Sequence, residues 1–470
     1  MISLVGHLPN LLAVSSELAP ARSQMAFTLS FHIVLACLGV AFPALMLIAN
    51  YRGLRRNDAD ALRLAERWSK VAAVTFAVGA VTGTVLSFEF GLLWPEFTGR
   101  FGEVFGILFA IEGIFFFTEA IFLAIYIYGW KRMSGWAHFW TGVPVVISGI
   151  GGAYAVVAVN SWMNQPGGFT LGPDGSVSSV DLWKVIFNDA VPYEVPHMIL
   201  AAYIVTGFLV ASVYAVGMLR GRRDRHHRLG LLIPFTVAAI AAPIQFAVGD
   251  TAARAIAEDQ PVKFAAMECV QTTHRNVTEY IFGICTDDGV KGGIGIPGFD
   301  SFLVGFDTDT KVTGLDSVPP DERPPFNTLL HWCFDIMVGI GTALIALGAW
   351  LAFVWWRRRD IPSTPWFLRA VAVSGVAAVV ALECGWIVTE VGRQPWIVYG
   401  VMRTEDAVTG ASGVWLTFAV VLAIYTALGV ATVLILRTMS RRWREADGGE
   451  VEVPYGPSEP EPPAVAGESS

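Results

Sequence analysis

The sequence has little charge, few cysteines and no excess of basic residues, and each shortage narrows the class of protein. Only 15% of its 470 residues are charged whereas 54% are hydrophobic, a composition that disfavours a water-soluble globular chain. A formal net charge of −8 argues against a nucleic-acid partner, because phosphate binding requires a basic surface. Five cysteines without a CxxC or CxxCH motif exclude a disulfide scaffold, a thiolate iron–sulfur centre and covalently attached haem as organising features.

Apolar stretches long enough to cross a bilayer occur nine times. About 20 helical residues span a hydrocarbon core of roughly 30 Å. The sequence therefore predicts an all-α integral membrane protein with nine transmembrane helices. The apolar stretches lie at about 24–50, 71–94, 103–130, 137–161, 190–219, 229–249, 327–356, 366–390 and 412–436.

Basic residues mark alternate loops between the predicted helices. They cluster after the first, third, fifth, seventh and ninth helices and are sparse in the other loops and at the N-terminus. Loops rich in Lys and Arg stay on the cytoplasmic side of a membrane. The N-terminus is therefore expected outside and the C-terminus in the cytoplasm.

Composition divides the chain into five predicted segments. Residues 1–22 lack the features of a signal peptide and are expected to form an interfacial N-terminal segment. Six transmembrane helices follow in 23–249 and three more in 327–437, separated by an external loop at 250–326 that holds 13 acidic and six basic residues. Residues 438–470 are expected to be a disordered acidic cytoplasmic tail, since this composition cannot bury a core.

Polar side chains inside the predicted helices are the candidates for function, because they are costly in a bilayer. Depth in the membrane can be estimated by counting residues from the cytoplasmic end of each helix, at about 1.5 Å per residue. By this count, five potential metal ligands lie at one level, roughly 28–35 Å from those ends. His and Met are axial ligands of haem iron, so this layer is consistent with a haem site. Interhelical hydrogen bonding by a lone His and core packing by a lone Met are the structural alternatives. The layer consists of His32, Glu112, His197, Met337 and Glu390.

Two pairs of acidic residues recur at a spacing of seven. Glu112 and Glu119 share one helix face about 10 Å apart, as do Glu383 and Glu390. Glu119 and Glu383 each lie closer to the cytoplasm than the layer, inside the bilayer. A carboxyl group there must be protonated or paired, which suits a proton relay. Structural hydrogen bonding is the alternative role.

Two further histidines of the predicted helices have structural interpretations. His331 and Asp335 are four residues apart and are expected to pair. His138, at the cytoplasmic start of the fourth helix, is expected to be interfacial.

Several motifs resemble subunit I of the cytochrome bd-type quinol oxidases. The most specific are GRQPW at 392–396, preceded by Glu390, and KFAAME at 263–268 after the GD pair at 249–250. The resemblance runs from about residue 22 to 396, and nine helices with an external N-terminus agree with that family's architecture. The other matches are IEG around Glu112, NSWMNQP at 160–166, PHM around His197 and FDIMVG around Met337.

The resemblance implies two haems b and one haem d as cofactors. His197 and Met337 match the axial ligands of a low-spin haem b. His32 and Glu390 match the ligands of two high-spin haems, where oxygen is reduced. His32 is assigned to haem d and Glu390 to haem b, with the reverse assignment left open.

Four further residues match the surroundings of those haems. Glu112 matches a carboxylate beside the oxygen-reducing haem, and Glu119 matches a residue of the proton pathway. Trp386 matches an aromatic residue between haems, and Arg393 matches a residue near the haem propionates. A guanidinium suits that position because its fixed fork of donors binds carboxylates.

The external loop matches the quinol-binding region of the family. Lys263 and Glu268 match residues implicated in quinol oxidation, where a carboxylate beside a cation can accept the protons that quinol releases. Cys269 and Cys285 lie in the same loop, and an oxidising location permits a disulfide between them, with two reduced thiols as the alternative. The loop is short compared with some relatives, and Asp335 stands where some have a basic residue.

The implied function is that of the catalytic subunit of a respiratory terminal oxidase in the bacterial plasma membrane. Quinol would be oxidised at the outer face and O2 reduced to water with cytoplasmic protons, so that turnover is electrogenic without a proton pump. The expected partners are quinol, with menaquinol as one option, O2, a homologous second large subunit and a small single-span subunit. A quinol oxidase or dehydrogenase with haem b alone and a proton-coupled membrane transporter stay open as alternatives.

Overall fold

Long apolar helices make up most of the structure, a computed structural model that describes residues 2–173, 175–446 and 455, with side chains described in 17–173, 175–445 and 455. Within those ranges, nine helices are long and apolar enough to cross a membrane, all except α5, α8 and α9. The predicted nine-helix architecture is confirmed to that extent. The helices are α1 (Ile2–Arg56), α2 (Ala59–Leu93), α3 (Pro95–Gly129), α4 (Gly135–Asn164), α5 (Leu182–Ile186), α6 (Val191–Leu219), α7 (Arg225–Asp259), α8 (Pro261–Met267), α9 (Phe299–Gly305), α10 (Asn327–Arg358), α11 (Pro365–Gly392) and α12 (Val414–Ala446).

Short antiparallel strand pairs occupy the loops, an addition to the predicted all-α architecture. Strands of two to four residues pair β1 with β2, β3 with β8, β4 with β7, β5 with β6 and β9 with β10. They form because backbone N–H and C=O groups outside helices need partners. The strands are β1 (Phe169–Leu171), β2 (Val177–Val180), β3 (His274–Arg275), β4 (Glu279–Ile281), β5 (Ile284–Thr286), β6 (Gly289–Lys291), β7 (Ile294–Ile296), β8 (Lys311–Val312), β9 (Trp396–Val398) and β10 (Met402–Arg403).

Three predicted segment boundaries differ from the structure. The helix α1 continues from Ile2 into the first span, so residues 2–22 are not a separate element; Leu, Ala and Glu at 11–19 favour helix. The helix α7 reaches Asp259 rather than 249, and its last turns carry an Arg254–Asp250 ion pair at 2.9 Å. Residues 438–446 belong to α12 rather than to the predicted tail. The rest of that tail, apart from Tyr455, lies outside the described residues.

Side-chain caps begin the helices at the basic end of the bundle. Asp58 accepts a hydrogen bond from the Ala61 backbone N–H at the start of α2 and also pairs with Arg52 and Arg225. Asp224 caps α7 in the same way. Each cap satisfies an N–H group that the first helical turn leaves free.

The helix α6 lies at the centre of the bundle. It packs against α1, α4, α7 and α11, and α10 in turn packs against both α7 and α11. Fully buried residues such as Phe208, Phe235 and Phe367 fill the space between α6, α7 and α11. This packing brings residues near the ends of α6, α10 and α11 to neighbouring positions.

The external loop is anchored by a disulfide. Cys269, which follows α8, is bonded to Cys285 in β5, and their Cα atoms lie 5.5 Å apart. This is the pairing expected from the sequence. The bond holds the end of α8 against the β5–β6 hairpin.

Candidate functional site

A cavity of about 670 Å³ lies among α1, α2, α3, α4, α6 and α11. Its wall is largely apolar, yet it gathers five of the ionisable residues that the sequence singles out. Residues from three different helices or their ends therefore converge on one space. The predicted site residues along its wall are His32, Glu112, Glu119, Trp386, Glu390 and Arg393.

His32 lines this cavity from α1. Its Nδ1 lies 2.9 Å from the Thr82 Oγ1, and the Thr82 hydroxyl donates to the backbone carbonyls of Val78 and Gly79. The Thr82 oxygen therefore accepts from Nδ1–H, which leaves the lone pair of the imidazole on Nε2. That is the tautomer of a histidine that binds metal through Nε2, with its other nitrogen oriented by a neighbour.

Glu390, near the end of α11, is held from two sides. The Asn160 side-chain amide donates to its Oε1 at 2.6 Å, and the Arg393 guanidinium donates to its Oε2 at 2.6 Å. Arg393 is 3% exposed and also contacts the Asn164 amide oxygen at 3.4 Å. A carboxylate with a donor on each oxygen is fixed in one orientation at the cavity wall.

Glu112 and Glu119 line the cavity from α3. The predicted seven-residue spacing lets both side chains reach one cavity from a single helix. Glu119 is 9% exposed, and Trp386 lines the same cavity from α11. The carboxyl groups thus form two steps along the cavity rather than one paired centre.

His197 and Met337 do not line this cavity. They lie on α6 and α10, which both pack against α7 and α11. A Cβ on Gly249 of α7 would come within 3.3 Å of the His197 ring, and one on Gly385 of α11 within 3.0 Å of the Met337 sulfur. His197 Nδ1 is buried and has no hydrogen-bond partner among the described residues. Both potential ligands therefore lie close to a glycine of a neighbouring helix.

Lys263 and Glu268 are five residues apart but have different surroundings. Lys263 is 2% exposed, and its side chain packs against Gly392 at the end of α11. A Cβ added to Gly392 would lie 3.0 Å from the Lys263 side chain. Burial lowers the pKa of Lys263 to about 8, opposed by Glu194 and reinforced by Arg393. Glu268 points instead to other carboxyl groups of the external loop. Lys263 therefore belongs to the charge network of Glu390 and Arg393, whereas Glu268 does not.

The predicted His331–Asp335 pair is present in α10. His331 Nε2 lies 3.6 Å from the Asp335 carboxylate, and its Nδ1–H donates to the Met267 carbonyl at 2.8 Å. Asp335 also accepts the backbone N–H of Phe282 at 2.7 Å. The pair ties α10 to α8 and to the external loop.

Several buried acidic residues escape prediction from the sequence. Glu89 accepts hydrogen bonds from Gln24 at 2.8 Å and from Thr28 at 2.5 Å. Glu194 lies three residues before His197, on the same helix face, and accepts a hydrogen bond from Asn164. That i, i+3 spacing was the available signal for Glu194. Glu279 and Asp300 carried no such signal, because they lie in a loop without periodicity.

The comparisons with known proteins agree with one another. The family described as cytochrome bd terminal oxidase subunit I matches residues 20–443. A Bacillus subtilis (strain 168) protein named "Putative cytochrome bd menaquinol oxidase subunit I" is 33% identical over 89% of this chain and 96% of its own length. A cytochrome bd ubiquinol oxidase subunit 1 from the same strain is 30% identical over 84% of this chain and 86% of its own length.

A solved structure has the same fold. The bd oxidase from Geobacillus thermodenitrificans superposes with a TM-score of 0.84 at 35% identity, over 90% of this chain and 98% of the matched chain. The family match covers far more than half of the sequence and includes every residue of the cavity wall. The chain belongs to the family of subunit I of the cytochrome bd terminal oxidases.

Proposed function

We propose that this chain is the haem-bearing catalytic subunit of a quinol:oxygen oxidoreductase. Family membership makes it a subunit of a respiratory terminal quinol oxidase and speaks against a transporter. The cavity that joins His32, Glu112, Glu119 and Glu390 is the observation that supports the catalytic role. Two quinols supply the four electrons that reduce one O2 to two waters.

The residues around the cavity suit haem. Arg22 and Arg393 each line the cavity and keep a buried Nε–H without a hydrogen-bond partner, as expected beside an anionic group such as a propionate. His32 offers Nε2, and Glu390 offers a carboxylate. Bound haem would supply electron transfer and an iron that binds and reduces oxygen.

The family resemblance supplies the haem assignments. His32 would hold the high-spin haem d and Glu390 the high-spin haem b, with the reverse assignment as the alternative. His197 and Met337 would hold the low-spin haem b, since they lie on helices that share two neighbours and each lies close to a glycine. A set of two haems b and one haem d is thus proposed.

Carboxyl groups of α3 would carry protons to the cavity. Glu119 and then Glu112 offer two steps along the same helix face, each in contact with the cavity. Protons consumed in water formation would arrive by this path from the cytoplasm. Since quinol releases its protons outside, turnover separates charge without a pump.

The external loop would bind quinol at the outer face, near Lys263 and Glu268. Lys263 is in electrostatic contact with Arg393 and Glu390, which links the loop to the cavity wall.

The chain would lie in a bacterial plasma membrane, with its N-terminus outside and its C-terminus in the cytoplasm. A homologous second large subunit and a small single-span subunit would complete the oxidase, with menaquinol as one option for the substrate.

Reduced-minus-oxidised spectra test the haem assignments. We expect His197→Ala to lose the low-spin haem b signal, whereas His274→Ala, which changes an exposed loop histidine, keeps the wild-type spectrum. An unchanged spectrum in His197→Ala would refute the assignment. Pyridine-haemochrome analysis of the wild-type oxidase should give haem b and haem d in a ratio of two to one; haem b alone would favour the alternative without haem d.

A further inference from the structure

Three carboxyl groups of the external loop converge although they come from three different elements. Glu268 ends α8, Glu279 lies in β4 and Asp300 lies in α9. One oxygen from each lies within 4.8 Å of the others. Glu268 is 2% exposed and Asp300 is fully buried. We call these three residues the loop carboxyl cluster.

The oxygens of the loop carboxyl cluster are poorly satisfied. Among the described residues, no N–H or O–H donor reaches either oxygen of Asp300, Oε2 of Glu268 or Oε2 of Glu279. Glu279 and Asp300 lie close enough to share one proton between them. Burying a polar group without a hydrogen-bond partner is unfavourable, because the group loses its bonds to water. A cation or a hydrogen-bond donor placed between these oxygens would therefore stabilise them.

The charges acting on Glu268 come from acidic neighbours. Burial raises the pKa of Glu268, and Asp300, Glu279 and Asp335 raise it further. Burial and Glu279 likewise raise the pKa of Asp300 to about 9. Either shared protons or a bound cation must compensate this concentration of negative charge.

Covalent and hydrogen-bonded supports fix the three elements. The Cys269–Cys285 disulfide adjoins Glu268 directly. The backbone N–H of Val277 donates to the buried Ser301 hydroxyl at 2.9 Å, which ties the segment before β4 to α9 beside Asp300. These bonds hold the three carboxyl groups in fixed relative positions, as a metal site requires.

We propose that Glu268, Glu279 and Asp300 bind a divalent cation, and that the ion is calcium. The ligand set is all oxygen, which suits Ca²⁺ rather than Zn²⁺ or Cu²⁺. Oxygens bound to one Ca²⁺ at about 2.3–2.6 Å can be no more than about 4.6–5.2 Å apart, and the cluster meets that limit. The site shares Glu268 with the proposed quinol-binding region, but calcium binding is measured without quinol, so its failure is distinguishable from a failure of the proposed function. The bound ion would cross-link α8, β4 and α9.

Direct binding on the intact oxidase tests this site. The purified complex is stripped with EGTA, equilibrated with CaCl2, and assayed for bound calcium and for thermal unfolding. We expect one more Ca²⁺ per wild-type chain than per Asp300→Asn chain, and a calcium-dependent rise in Tm that Asp300→Asn and Glu279→Gln lose. The control Asp288→Asn, at the exposed turn between β5 and β6, should keep both.

The same experiment can overturn the proposal. Equal calcium in wild type and Asp300→Asn, or none in the wild type, would mean that the loop carboxyl cluster shares protons instead of binding an ion. Magnesium bound as tightly as calcium would contradict the choice of ion. Unchanged haem spectra in Asp300→Asn and Glu279→Gln establish that these variants fold, and calcium bound to the wild-type oxidase is measured independently of both.

Discussion

Arg393 is a single buried side chain on which the orientation of Glu390 depends. Removing one partner of a buried charge pair leaves the other uncompensated. Because the Glu390 side chain is 31% exposed, water offsets part of that cost, and we expect Arg393→Ala to destabilise the protein by about 1–3 kcal/mol. We also expect it to lower the amount of high-spin haem b, as measured by difference spectroscopy.

Arg403→Ala serves as the matched control for Arg393→Ala. Arg403 follows in the same loop but pairs at the surface with Asp321 at 2.9 Å, and exposed pairs contribute about 0–1 kcal/mol. Its variant should keep both the haem content and nearly all of the stability. Equal losses in the two variants would contradict a specific role for Arg393.

Asp300 gives the calcium-free oxidase a predicted pH dependence. Its pKa is about 9 in the folded protein against an ordinary value of 3.8. Between those values the unfolded chain has lost a proton that the folded chain keeps, so rising pH lowers the free energy of unfolding. In EGTA, the wild-type Tm should fall from pH 6 to pH 8.5 more steeply than that of Asp300→Asn. Identical slopes would show that Asp300 does not titrate in this way.

His138 illustrates what the sequence cannot predict about a residue. Its position at the start of α4 predicted an interfacial side chain, yet it is fully buried. The Tyr126 carbonyl lies 2.7 Å from its Nε2, and the Tyr455 hydroxyl lies 3.0 Å from its Nδ1. The interfacial prediction was wrong because Tyr455, which is 317 residues away in sequence, helps to cover the ring.

At the scale of elements, glycines set how closely helices approach the proposed ligands. A Cβ on Gly83 of α2 would lie 3.0 Å from the His32 Cε1, whereas one on Gly91 of the same helix would meet nothing within 4 Å. Overpacking typically costs about 1–3 kcal/mol. We expect Gly83→Ala to shift the high-spin haem absorption and to reduce oxygen consumption.

Gly91→Ala controls for the change in helix propensity, which is the same in both variants. It should leave the spectrum and the rate of oxygen consumption at wild-type values. If Gly83→Ala behaves in the same way, the ring of His32 has more freedom than the close contact implies.

The nine long helices could be predicted because a bilayer imposes a minimum apolar length, which hydropathy detects directly. Their ends could not, since α7 continues past its apolar run on polar turns that an Arg254–Asp250 pair supports. The cavity residues of α1, α3 and α11 were identified as intramembrane polar groups or by motif. The loop carboxyl cluster was missed, because its members lie on separate elements of a loop and only folding brings them together.

At the scale of the whole molecule, the positive-inside pattern predicts which loops share a side of the membrane. Ser178 in β2 and Arg222 between α6 and α7 are both exposed. A membrane-impermeant maleimide should label Ser178→Cys in intact cells and Arg222→Cys only after the membrane is opened. The three remaining free cysteines, Cys37, Cys333 and Cys384, are buried and should give little background. The opposite pattern of labelling would reverse the proposed orientation.

The Cys269–Cys285 bond can also report on biogenesis. Disulfides form in oxidising compartments, whereas the cytosol keeps thiols reduced. A chain whose loop has not yet been exported would therefore carry both thiols free, and a fully inserted chain would carry the closed bond. Thiol alkylation followed by electrophoresis without reductant could thus count inserted and stalled chains during synthesis, with no added reporter.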